Sequence, residues 1–485
     1  MKTKLFCIAL AYTCFIQVGV SAESTTGTTV ADGPIDIGSR LELFVDDFLV
    51  ENIAGKVGLH LHHPEPQEIV LVTDKPWEGN TCCYYTLFQD GDMYRMYYRG
   101  THSDTAMEDE VFCYAYSTNG IDWIRPNLGL FEFKGSKENN IIHNGVARHN
   151  FTPFKDTNPV CPPNERYKAM GGHSRTGGLY AFKSADGVHW TLMQNEPVFP
   201  SSWEKRSGWP QPWFDSQNLA FWDPVRKSYV LYFRHFRDKT YRDVMMATSP
   251  DLINWSKNPE FLEYPGVAPE HLYTSSIIQY PRNPHFYIGF PTRFISLTAQ
   301  TEPLFMSSRD GLTFKRWPGA VIPVDAPADR DGNRSNYIWW GLLELPGNDA
   351  EYSIYAHEAY YDGPASRLRR FTYRKDGFAS LRAAPEGGVV ETKLLRFSGT
   401  QLVLNFKAKA KHFRYDGGSI QVEIIDEGGY PVEGFSLPDC EKLQGDSLEQ
   451  TVVWKSGRTL RMLEGVPVRF RFHMKYADLF SFQIK

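Results

Sequence analysis

The chain has 485 residues, 42% of them hydrophobic, so it can bury a large core. Aromatics at 14%, with 39 glycines and 31 prolines, favour strands and turns over helices. A formal net charge of −5, two units more negative without Lys2 and Lys4, gives no general case for nucleic acid or an anionic membrane as partner.

Residues 1–22 place Lys2 and Lys4 before an apolar run that ends in Val20-Ser21-Ala22, which reads as a signal peptide. The mature chain is therefore expected to be secreted or periplasmic, and no later segment is apolar enough to span a bilayer. Cys7 and Cys14 fall in the leader. Cys82, Cys83, Cys113, Cys161 and Cys440 remain, an odd number without metal-ligand spacing, and both a bridge from Cys82 or Cys83 to Cys113 and free buried thiols are compatible with them. Residues 23–34 form a polar lead-in. RLELFVDDFLVE (40–51) is expected to close a ring of blades, with Asp46 and Asp47 turning or capping a strand. His60, His62 and His63 read as a surface strand rather than a zinc site.

A repeat organises the rest. STNGIDW (117–123), SADGVHW (184–190), SPDLINW (249–255), SRDGLTF (308–314) and the weaker RKDGF (374–378) recur roughly every 65 residues. Each follows a strand, mostly Tyr-rich: DMYRMYYRG (92–100), RYKAMGG (166–172), KSYVLYFR (227–234), HFYIGFP (285–291) and YSIYAHE (352–358). Asp or Asn before Gly makes a tight turn and the following aromatic packs into the blade, so these motifs specify architecture rather than chemistry. The sequence predicts an all-β protein: a five-bladed β-propeller over residues 23–389, then a smaller β-sandwich over 390–485 whose short strands are regularly spaced.

In a propeller the innermost strands run side by side round one axis, so the segments that lead into them converge. Those segments carry Glu78 in DKPWEGN (74–80), Asp156 in FTPFKDTNP (151–159) and Asp215 in WFDSQN (213–218). PEHLYTS (269–275) brings Glu270, His271 and Tyr273, and DGNRSNYIWW (331–340) brings Arg334, Tyr337 and Trp339. The ends of the second strands add Arg99, Arg234, Arg293 and Glu358. Recurrent arginine points either to an anionic group on a ligand or to ion pairs between blades.

With LFVDDFLVE (43–51), PWEGN (76–80), FDSQNLAFWD (214–223), HLYTSSIIQYPRNPHFYIGFPTRF (271–294), SRDGLTF (308–314), LRRFTYRKDGF (368–378) and VRFRFHMKYADLFSF (468–482), the chain resembles the exported glycoside-hydrolase-like five-bladed propellers related to glycoside hydrolase families 32, 43, 68 and 117. The resemblance implies cleavage of a glycosidic bond in a poly- or oligosaccharide, neutral or anionic, by carboxylates near the axis. Carried over by position, Glu78 and Asp215 would form the main pair, Asp156 would tune the acid, and Glu270 or Glu358 would be the chief replacement. Trp77, Trp213, Tyr273 and Trp339 would stack on sugar faces. Gln217, Asn218, His271 and Tyr337 would bind substrate, and Arg99, Arg234, Arg293 and Arg334 would read an acidic substituent. The fructosidase motif Trp-x-Asn-Asp-Pro-Asn is absent, which argues against fructans. A pair about 5–5.5 Å apart would retain configuration and one about 6.5–9.5 Å apart would invert it.

Two other readings use the same residues. A sialidase-like hydrolase would take Tyr273 or Tyr337 as nucleophile, although five repeats fall short of six blades. A non-catalytic carbohydrate-binding propeller would need the aromatics and arginines without a matched acid pair. No pattern demands a cofactor or a resident metal, and an axial Ca²⁺ is compatible with acids at the channel mouth.

Overall fold

A computed structural model describes residues 33–201, 214–323, 336–409 and 417–485. Trp213 and Arg334 lie outside the described residues. Four antiparallel sheets of the propeller follow in chain order. Blade 1 is Cys83–Asp90, Met93–Gly100, Val111–Ser117 and Ile141–His143, and blade 2 starts with Thr152–Lys155, Tyr167–His173 and Gly178–Ser184. Blade 3 runs Leu219–Asp223, Ser228–Arg237, Tyr241–Ser249 and Glu260–Phe261, and blade 4 runs Ile278–Gln279, Tyr287–Gly289, Met306–Ser308 and Phe314–Arg316.

Blade 5 is completed from the other end of the chain. Tyr337–Ile338, Asn348–Glu358 and Arg367–Arg374 receive Glu65–Val72 as their outermost strand, which closes the ring. The closure therefore comes from residues 65–72 and not from 40–51. Within 40–51, Glu42–Leu43 pairs with Ala477–Ile484, while Asp46 and Glu42 receive Arg309 of the blade 4 turn at 3.0 and 2.8 Å. An apolar run bracketing two acids fits either sheet, and the pairing partner decides which.

The C-terminal unit is an eight-stranded half-barrel in which Ala379–Thr392 pairs with Val50–Leu61, Arg469–Lys475 and Ala477–Ile484. Its core gathers Phe44, Leu381, Trp454, Phe470, Phe472 and Phe482. The all-β class, the five blades and the smaller C-terminal β unit agree with the sequence reading. His60 sits on Val50–Leu61 and His62 just past its end, where Arg382 meets His60 and Ser380 meets His62.

The repeated turns have one geometry. The Ser hydroxyl accepts from the backbone N–H three residues on, at 2.9 Å for Gly120, 2.9 Å for Gly187, 3.0 Å for Leu252 and 2.8 Å for Gly311. That residue has positive φ in each copy, between 68° and 78°. Its carbonyl then joins the blades: Tyr355 donates to Gly120 at 2.6 Å, Tyr97 to Gly187 at 3.0 Å and Tyr232 to Gly311 at 2.8 Å. The Tyr-rich strands and the Gly turns are thus two halves of one contact between neighbouring blades.

A second clasp lies at the same end of the blades, where the innermost strands finish. Asp90 accepts from Tyr167 at 2.5 Å, Asp156 accepts from Tyr229 at 2.7 Å, and Asp223 accepts from Tyr287. Each aspartate closes its innermost strand, and each tyrosine belongs to the next blade. All five described cysteines are free thiols. Among the described residues no helix is long and apolar enough to cross a membrane.

Candidate active site at the propeller axis

A cavity of about 400 Å³ opens where the innermost strands begin. Every blade contributes: Cys83 and Tyr84 from blade 1, His149 ahead of blade 2, Asp215 ahead of blade 3, Tyr273 and Thr274 ahead of blade 4, and Tyr337 and Trp339 from blade 5. Arg99 and Arg234 reach it from the second strands of blades 1 and 3, and Phe294, Tyr360 and Tyr361 form part of its wall. Several of these side chains are turned inward by unusual backbone. Tyr84 has φ +57° at a register shift between Cys83 and Thr86, and Phe214, next to Asp215, has φ +60°. Ala299 and Tyr361 also have positive φ, at +55° and +60°. Such conformations cost about 1–2 kcal/mol per non-glycine residue and persist where surrounding packing holds them.

The charged groups form a chain. Asp215 has Oδ1 3.0 Å from His149 Nε2 and Oδ2 2.9 Å from Arg234 Nη2, and a third of its side chain remains exposed. His149 Nδ1 lies 2.7 Å from buried Glu110, and Arg99 lies 3.6 Å from the same carboxylate. Burial disfavours charge on Asp215, but Arg234, His149 and His173 outweigh it and hold the carboxyl well below its ordinary range. Burial and Arg99 pull the His149 pKa down, yet the two carboxylates against its nitrogens leave it raised. Carboxylates against both ring nitrogens favour the doubly protonated ring. The neighbouring groups stay neutral: burial pushes the Cys83 thiol up to about 12 and raises the phenols of Tyr84, Tyr273, Tyr337 and Tyr360. Burial thus works against a phenolate at Tyr273 or Tyr337, the nucleophile a sialidase-like hydrolase would use.

The aromatic wall is layered. Tyr337 stacks on Trp339 at 5.2 Å with ring planes 3° apart, and Trp339 donates its indole N–H to His357 at 3.2 Å. Tyr273 stacks on Phe294 at 4.6 Å. Flat apolar faces beside charged donors suit a sugar ring, which has an apolar face and hydroxyl edges.

Of the expected residues, the structure brings Asp215, Arg99, Arg234, Tyr273, Tyr337 and Trp339 into this cavity. The other acids lie elsewhere. Glu78 faces a separate recess, its side chain fully buried against Tyr98 at 2.5 Å and Arg125 at 2.8 Å, and burial raises its pKa. Trp77 borders that same recess and donates to Asn140 at 2.8 Å. Asp156 directly follows its strand Thr152–Lys155 instead of preceding it, so it lies at the far end of the blade, bonded to Lys168 at 3.1 Å and to Tyr229. Glu270 is held by Arg293 at 2.7 Å and by Arg316, in another recess, and Arg293 also binds Glu302. His271 accepts from the backbone N–H of Arg242 at 3.2 Å. Glu358 is buried with Arg369 at 3.2 Å. Gln217 donates to the Tyr85 carbonyl at 2.8 Å and Asn218 to those of Phe214 and Ser216 at 3.2 and 3.1 Å, so both amides are fixed below the cavity.

His149, Glu110, Tyr84, Tyr360 and Tyr361 escaped the sequence reading. His149 stands 66 residues before Asp215, which is the repeat spacing, so blade 2 offers it at the place where blade 3 offers Asp215. Among the described residues no group of three or more His, Cys, Asp or Glu side chains has the geometry of a metal site.

No family model matches the chain. A segment is 31% identical over 157 residues to the siderophore exporter MmpL5 of Mycobacterium tuberculosis (strain CDC 1551 / Oshkosh), covering 32% of this chain, and the chain spans only 15% of that relative's length. Among solved structures, a thermostable family-43 glycoside hydrolase aligns with a TM-score of 0.44 at 14% identity, over 65% of this chain and 96% of its own. An endo-arabinase from Bacteroides thetaiotaomicron VPI-5482 aligns with a TM-score of 0.41 at 12% identity, over 64% of this chain and 99% of its own. These likenesses concern the fold. On the arrangement of its own strands, five blades round one axial cavity with a C-terminal β unit, the chain is a five-bladed β-propeller.

Proposed function

We propose that the protein is an exported glycoside hydrolase that binds a saccharide in the axial cavity and uses Asp215 as its catalytic carboxylate. The observation that carries this reading is the state of Asp215: partly exposed in an aromatic-lined cavity, with each oxygen on a cation. A carboxylate held ionised in this way can stabilise positive charge at the anomeric carbon, or direct water onto it, as the glycosidic bond breaks. Export rests on the character of residues 1–22.

Binding without turnover is the second reading. It is favoured by the fact that, among the described residues, Asp215 is the single carboxylate lining the cavity, while Glu78, Asp156, Glu270 and Glu358 are committed to contacts elsewhere. Release of reducing ends by the purified mature chain, followed across neutral, uronic-acid and sulfated glycans beside Asp215→Asn, separates the two. Turnover that is lost in the variant while binding persists supports the hydrolase. Binding with no turnover in either protein leaves a saccharide-binding propeller.

A further inference from the structure

The guanidinium groups lining the cavity are already compensated. Arg234 is paired with Asp215 at 2.9 Å, and Arg99 lies 3.6 Å from Glu110 and donates to the Thr81 carbonyl at 3.1 Å. Turning Arg234 to a ligand would give up its pairing with Asp215, and turning Arg99 would leave buried Glu110 with less compensation. Arg293 is likewise taken up by Glu270 and Glu302.

Arg242 differs. It lies on Tyr241–Ser249 of blade 3, and its guanidinium packs over two rings, Phe236 at 5.3 Å and Tyr273 at 4.9 Å. It makes no ion pair among the described residues, and only its backbone takes part in a hydrogen bond there. Tyr273 lines the cavity, and the same ring carries Arg234 at 5.3 Å. One aromatic ring at the cavity wall thus bears two guanidinium groups, the first neutralised by Asp215 and the second by no carboxylate among the described residues. The charge of Arg242 is felt nearby, since His271, whose pKa is lowered first by burial, is lowered further by Arg242. Among the described residues Arg99, Arg234 and His149, which line the cavity, meet two carboxylates, Glu110 and Asp215, and Arg242 adds a further positive charge against the Tyr273 ring of its wall.

Stacking on rings holds a guanidinium plane and offsets part of its lost hydration, but leaves its N–H donors at the edge unused. A planar fork of free donors matches a carboxylate or sulfate oxygen pair. We infer that the axial site takes a saccharide carrying a carboxylate or sulfate group, and that Arg242 reads that group beside the Tyr273 ring. The inference rests on the axial cavity being a saccharide site, and it narrows the substrate to anionic glycans.

The test compares ligands that differ only in charge. Trigalacturonate and its methyl ester form one pair, and a sulfated galactose trisaccharide with its desulfated counterpart forms the other; each is titrated into the mature chain, Arg242→Gln and Arg242→Lys. The expected result is that one anionic member binds about tenfold or more tighter than its neutral partner. That preference disappears in Arg242→Gln and falls to an intermediate value in Arg242→Lys, which keeps the charge but not the fork. The pair showing the preference tells carboxylate from sulfate. Equal affinity for charged and neutral partners overturns the inference, as does a preference that survives in Arg242→Gln. Thermal melts of both variants establish that they fold, and Arg242→Lys decides the matter should Arg242→Gln not fold. Asp215-dependent turnover of neutral glycans without any anion preference would sink the role of Arg242 and leave the hydrolase standing. Failure of every saccharide to bind would overturn both.

Discussion

His149 has a carboxylate against each ring nitrogen, Glu110 at 2.7 Å and Asp215 at 3.0 Å. Its raised pKa has a consequence for pH dependence. The extra stability from holding the proton is fully present below the unfolded value of about 6.5 and is lost as pH rises through the higher folded value. For Asp215 the sign is opposite: its contribution is present above about 3.8 and fades as pH falls through the depressed folded value. Imidazole NMR resonances should therefore place the His149 transition above 6.5, and Glu110→Gln should move it down by removing one carboxylate; a wild-type transition below 6.5 would contradict the arrangement. Sequence and structure diverge most at this scale. Glu78 and Asp156 have the right residue type near the right strands, but a carboxylate's partners decide its role, and those partners are remote in sequence. For Asp156 a clue was present: Phe-x-Asp recurs at 88–90, 154–156 and 221–223, and an aspartate repeated at one place in three blades marks a clasp between blades.

The element that repeats is the turn together with the tyrosine of the neighbouring blade. Tyr97→Phe, Tyr232→Phe and Tyr355→Phe each remove a donor from a buried carbonyl and should each cost about 1–3 kcal/mol in denaturant unfolding, with the fold retained. Gly187→Ala should cost more than Tyr97→Phe, because φ there is +78° and the new Cβ would fall 2.7 Å from the Tyr97 hydroxyl. Unchanged midpoints in all four would mean that the blades are held by apolar packing alone. Leu252 is the instructive exception. It accepts φ +68° where the other copies use glycine, and its side chain is fully buried in the core shared by blades 2, 3 and 4. Burial of a leucine contributes about 1.5–3 kcal/mol, enough to offset the left-handed conformation. The turns were legible in sequence because Ser, Asp or Asn, Gly and an aromatic at fixed spacing are needed together. Their contact with the next blade was not, since nothing local connects Tyr97 to Gly187.

At the scale of the whole molecule the N-terminal strands serve two partners. Val50–Leu61 pairs with Ala379–Thr392 in the half-barrel, and Glu65–Val72 completes blade 5 and closes the ring. A chain beginning at residue 73 would leave both sheets with open edges and should lose its cooperative thermal transition; a melt within a few degrees of the full mature chain would contradict this topology. The number of blades could be counted from the repeat, but which strand closes the ring could not: the sequence pointed to 40–51, and the pairing of Glu65–Val72 with Arg367–Arg374 joins segments remote in sequence. Closure matters for function because it draws the starts of all five innermost strands round one axis, and only there do Asp215, His149, Arg99, Arg234 and the aromatic wall meet. The most direct test of that account is the rate of reducing-end release across a panel of glycans, measured for the wild type, Asp215→Asn, Glu78→Gln and Glu270→Gln. The axial site predicts a loss of about 10²–10⁴-fold in Asp215→Asn alone, with saccharide binding kept and the two other variants within a few-fold of wild type. Full activity in Asp215→Asn, or an equal loss in Glu78→Gln with its stability intact, would place the chemistry outside the axial cavity.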